Sequence, residues 1–121
     1  PFQGRWGTGT FTRNASTPGG CTGEPPNCTP HTNCLLNYRL KYDVNPGFVL
    51  WFMVWFEISG MPSPPSGPHV APASYDQTFT NQAYACGSKM THDFTYVEDL
   101  GGGQTATGHA FRVETGCANC Q

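Results

Sequence analysis

Two consecutive extended stretches that do not match each other constrain this chain most. In residues 35–44, Leu36, Tyr38, Leu40, Tyr42 and Val44 point one way and Asn37, Arg39, Lys41 and Asp43 the other, the alternation of a half-buried antiparallel strand. Residues 48–58 are apolar on both faces. One row is Phe48, Leu50, Phe52, Val54, Phe56 and Ile58; the other is Val49, Trp51, Met53 and Trp55, closing on Glu57. Asn45-Pro46-Gly47 supplies a turn, because proline presets φ and glycine accepts a positive one. The two stretches therefore read as a hairpin over residues 35–59. Whatever its register, one row of large apolar groups continues the polar face of the partner. Each aromatic buries on the order of 150–250 Å², and at about 25 cal/mol per Å² leaving the row wet forgoes several kcal/mol. Something must cover it.

Composition narrows the fold. The chain has 121 residues, room for one domain, and holds 15 glycines and 11 prolines, so a helical bundle is excluded. Its core must be aromatic, drawn from eight Phe, five Tyr and three Trp. Residues 1–12 read as a β-prone N-terminal strand or arm, and 13–34 as a long Cys/Pro/Gly-rich loop. Residues 60–74 read as a proline-rich crossover that cannot be a central strand, and 75–121 as C-terminal strands with a flexible loop over 99–108. About six or seven strands in such a chain predict an all-β fold with disulfide-tied loops. It is an antiparallel β-sandwich, immunoglobulin-like or jelly-roll-like, or alternatively a small β-barrel.

Six cysteines, Cys21, Cys28, Cys34, Cys86, Cys117 and Cys120, predict a disulfide framework and an oxidising compartment. A zinc site built on Cys117 and Cys120 with two of Cys21, Cys28, His31 and Cys34 would have a single short-spaced pair where such sites normally have two. Asn14-Ala15-Ser16 and Asn27-Cys28-Thr29 are N-glycosylation sequons in a stretch expected to be an exposed loop, and the serine- and proline-rich segment is a candidate carrier of O-linked sugars. The chain starts at Pro1 with no signal-like segment, as a processed chain would. Together these features predict a secreted glycoprotein. The longest apolar run is too short for a transmembrane helix, and a net charge of −2 lacks the basic footprint of a nucleic-acid binder.

No catalytic machinery is expected, and no metal or cofactor. Glu98 and Asp99 are neighbours on a strand and point apart, as do His92 and Asp93. His31, His69, His92 and His109 fall at no ligand spacing, and an even cysteine count leaves no thiolate to spare. Function must then follow from what covers the apolar row. The chain's own residues 61–72 are one cover, with Arg39 or Lys41 stacked on Trp51 or Trp55. A second copy is another: Phe2, Trp6 and Phe11 give the N-terminal arm the anchors of a donated strand, with Trp51, Met53 and Trp55 as acceptor. Repeated without closure, that exchange builds an extracellular fibre or surface array, the leading expectation. The alternative cover is carbohydrate, stacked on Trp51 and Trp55 and hydrogen-bonded by Asn37, Arg39 and Asp43.

Overall fold

The computed structural model describes residues 1–17, 21–22, 29–30, 33–58, 61–85 and 87–117. They form β1 (Phe2–Gly4), β2 (Gly7–Thr17), β3 (Cys21–Thr22), β4 (Thr29–Pro30), β5 (Asn33–Val44) and β6 (Phe48–Ile58). The chain continues through β7 (Met61–Pro62), β8 (Ser66–Val70), β9 (Ser74–Ala85), β10 (Ser88–Gly101) and β11 (Gln104–Cys117). The fold is all-β. Two antiparallel sheets carry it, one of order β1-β2-β5-β9 and one of order β11-β10-β6-β7 with β8 also on β6; β3 and β4 pair separately.

The predicted 35–59 hairpin does not form. Both stretches are strands, but β5 lies between β2 and β9 while β6 pairs along its whole length with β10, from Phe48 opposite Glu98 to Ile58 opposite Ser88. Residues 45–47 carry the chain from one sheet to the other. The mismatch persists in the new pairing, since β10 offers β6 Phe94 and His92 on the inner side and the polar Thr91, Asp93 and Thr95 on the outer, leaving the outer row of β6 beside polar neighbours.

Where the sheets face each other, Trp6, Tyr42, Leu50, Ala71, Phe94, Phe111 and Val113 form the main core. Phe111 is its hub, stacked on Phe94 at 4.3 Å, Phe2 at 4.7 Å and Trp6 at 5.1 Å. Cys34 and Leu36 form a smaller buried cluster with Tyr38 and Tyr84 against it.

The N-terminal arm also departs from expectation. Residues 2–12 are not one strand; the chain turns at Arg5 and Trp6 so that β1 folds back on β2, Phe2 opposite Gly9. Gly7 makes this possible, since its φ of 147° and its approach to the Asp43 carbonyl leave no space for a Cβ. The Asn45 amide donates to the Trp6 carbonyl at 2.7 Å and its side-chain Nδ2 donates to Arg5 O at 3.1 Å, tying this turn to the inter-sheet connection.

Two expected loops shrink. β2 continues to Thr17, so Asn14 lies in a strand paired with Asn37 instead of in an open loop. Between β10 and β11 the expected loop over 99–108 contracts to a turn at Gly102 and Gly103, both at positive φ. The proline-rich segment does stay off the sheet interior: β7 and β8 are short edge strands on β6, after which the chain crosses to β9. Asn27, Cys28, Cys86 and Cys120 lie outside the described residues, as do the side chains of Asn14, Cys21 and Cys117.

Candidate binding face

The site is the outer face of the five-stranded sheet, and parity along β6 decides what stands on it. Leu50 is buried and Phe48 and Phe52 pack on the core, so the intervening residues Trp51, Met53 and Trp55 point outward, where they remain half-buried. Across the ladder to β10, Trp51 meets Thr95, Met53 meets Asp93 and Trp55 meets Thr91; on the other flank Trp51 meets the exposed Val70 of β8. Thr91, paired with Trp55 on one neighbouring strand and Glu114 on the other, is only 1% exposed.

A β-bulge completes the face. In a regular strand His109 would share the phase of Phe111, Val113 and Thr115, all buried. The register between β10 and β11 shifts at Phe94/Thr95, leaving an extra residue on β11 and turning His109 outward. His109 Nε2–H then donates to Asp93 Oδ1 at 2.6 Å, while Arg112 Nη2 lies 3.5 Å from Asp93 Oδ2. The Arg112 guanidinium also sits 5.3 Å from the centre of the Trp55 ring, a cation–π contact. Toward the β6 terminus, Lys89 Nζ reaches Glu57 at 3.4 Å and Glu114 at 3.7 Å. An aromatic row is thus flanked by a carboxylate, an imidazole and a guanidinium that already bond to one another, with a second charged cluster at one end.

The predicted site residues divide. Trp51, Met53 and Trp55 stand together on this face. Phe2, Trp6 and Phe11 do not serve as free anchors: Trp6 is 2% exposed, Phe2 stacks on Phe111, and Phe11 lies 6.1 Å from Tyr38 across a ring contact. Asn37, Arg39 and Asp43 belong to the outer face of the other sheet, so they cannot hydrogen-bond to anything stacked on Trp51 or Trp55. Arg39 is instead held bidentately by Asp76 at 2.9 and 2.7 Å, which keeps that carboxyl below its usual range. Arg112, not Arg39 or Lys41, stacks on Trp55. The polar residues that do flank the tryptophans were not among the expected ones. The signal for His109 was present in the sequence, as a polar residue in the phase of an apolar row.

On the inner side of the same sheet His92 lies against Phe52 and Phe94, at ring separations of 5.9 and 6.4 Å, and its burial holds it below the usual imidazole value. Among the described residues no group of three metal-ligating side chains occurs, and no helix is long and apolar enough to cross a membrane. Comparison of the chain with models of protein families, with curated proteins and with solved structures gave no match.

Proposed function

We propose that this chain is a secreted, disulfide-framed glycoprotein domain that binds carbohydrate, without catalysis, on the outer face of the five-stranded sheet. One observation carries the reading. Trp51, Met53 and Trp55 remain half-buried on a solvent-facing sheet surface, beside the hydrogen-bonded Asp93, His109 and Arg112. Sugar rings present C–H faces that stack on indoles and hydroxyls that pair with carboxylate, imidazole and guanidinium groups, so both halves of the chemistry are adjacent. The even number of cysteines and the two sequons support an extracellular setting. We read the sheets as a β-sandwich, since among the described residues no ladder joins one to the other.

A glycan array probed with the wild type, Trp51→Ala and Trp55→Ala is the test. A defined glycan set bound by the wild type and lost at least tenfold in both variants, with unchanged thermal transitions, is the expected outcome. Binding that survives both substitutions, or a wild type that binds nothing, refutes the reading.

Self-assembly into a fibre is the second reading, in an altered form. Burial of Phe2 and Trp6 in their own molecule argues against donation of the N-terminal arm. What favours assembly is β11, a 14-residue strand that among the described residues is paired on one side only, by β10. Such an edge can accept another chain. Filaments in electron micrographs of the purified protein, abolished by Arg112→Pro with the thermal transition retained, would establish it.

A further inference from the structure

The space between the sheets is not fully packed. A cavity of about 170 Å³ opens among Leu40, Tyr42, Phe52, Tyr75, His92 and Phe94, and a smaller one of about 90 Å³ lies toward Tyr38, Phe79 and Met90. Leu40, Tyr75 and His92 wall both, so the two lie side by side on the same cleft residues. Protein interiors ordinarily carry few voids larger than a water molecule. An apolar cavity of about 150 Å³ stays dry and takes a benzene ring.

His92 makes this cavity different from a packing defect. Its ring enters an otherwise aromatic and aliphatic wall, and among the described residues nothing hydrogen-bonds to either nitrogen. No carboxylate lines either cavity. A largely buried polar group without a partner is costly, and a ligand hydroxyl would satisfy it. We infer that the inter-sheet cleft is a binding site for a small aromatic alcohol or phenol, its ring seated among Leu40, Phe52 and Tyr75 and its hydroxyl on His92. This site is separate from the outer face: it lies on the opposite side of the same sheet.

The test is a titration with p-cresol and, in parallel, toluene, followed by NMR through the ring resonances of His92 and the aromatic residues around it. The wild type should show saturable shifts with p-cresol preferred at least fivefold over toluene. His92→Phe should erase that preference while still admitting toluene. Leu40→Trp, which fills the wall common to both cavities, should abolish binding of both compounds, provided its thermal transition is intact. Absence of saturable shifts in the wild type overturns the inference, and so does a p-cresol preference that persists in His92→Phe. Because the wild-type titration alone decides the first point, a variant that fails to fold does not rescue the proposal. Loss of glycan binding by Trp51→Ala would leave every one of these outcomes unchanged.

Discussion

The two sheets show opposite characters to solvent. The outer face of the four-stranded sheet carries Thr8, Thr10 and Thr12 on β2, Arg39, Lys41 and Asp43 on β5, and Asp76 and Thr78 on β9. That of the five-stranded sheet carries Trp51, Met53 and Trp55 on β6, with Thr91 and Asp93 alongside. Toward the core the two are equivalent, since each supplies rings to the cluster around Phe111. The difference teaches where to look for activity. Fold stability accounts for the inward rows of both sheets and for a polar outward row, whereas tryptophans facing water on one sheet are not required by it.

The comparison breaks most severely at the hub that both layers share. Phe111→Ala removes ring contacts to Phe2, Trp6 and Phe94 together and should cost about 3–5 kcal/mol, read as a lower denaturation midpoint in urea. Next come the two outer faces set against each other. Trp55→Ala should lower glycan affinity at least tenfold, equivalent to about 1.4 kcal/mol, whereas Thr10→Ala on the other sheet should change neither affinity nor stability by more than about 0.5 kcal/mol.

Acidity sharpens the contrast between the inside and the outside of one strand. His92 is depressed in the folded state, so as pH falls below about 6.5 the unfolded chain takes up a proton that the fold resists, and stability declines. The titratable side chains around its cavities are Tyr38, Tyr42 and Tyr75, with His69 beyond Phe52. The ring is partly solvated, so the slope should stay below the about 1.4 kcal/mol per pH unit of one fully coupled proton, and His92→Phe should flatten it in pH-dependent denaturant melts. At the alkaline end burial pushes Tyr42 up to about 12, so stability should fall above about pH 10, where tyrosines of the unfolded chain ionise first. The smallest effect separates two arginines. Arg39→Ala loses an exposed, solvent-screened ion pair and should leave the denaturation midpoint nearly unchanged with no change in ligand binding, while Arg112→Ala, equally modest in stability, should weaken glycan binding on the array.

Much of the fold could be read from residue alternation. The inward row of β5, the two-sided character of β6 and the exclusion of the proline-rich segment from the sheet interior all follow from a period of two and from the missing proline donor. The pairing could not, because the Asn45-Pro46-Gly47 turn is equally compatible with a hairpin and with a passage between sheets; only the availability of β10 decides between them. The same holds for the arm, where the turn at Arg5 and Trp6 depends on a close approach of Gly7 to Asp43, thirty-six positions away. On the candidate face, Trp51, Met53 and Trp55 were legible as an uncovered row. Asp93 and Arg112 were not, and His109 showed only as a polar residue in an apolar phase, since strand parity sets His109 and Arg112 on opposite sides and the bulge reverses it.

That irregularity beside Phe94 makes the C-terminal hairpin tolerant of one particular change in length. Deleting Ala110 would set His109 directly before the inward-facing Phe111, so unbroken alternation would still keep it outward, opposite Thr95 and within reach of Asp93. Loss of that single codon would therefore keep the imidazole beside the tryptophans and take away only the local bend of the strand.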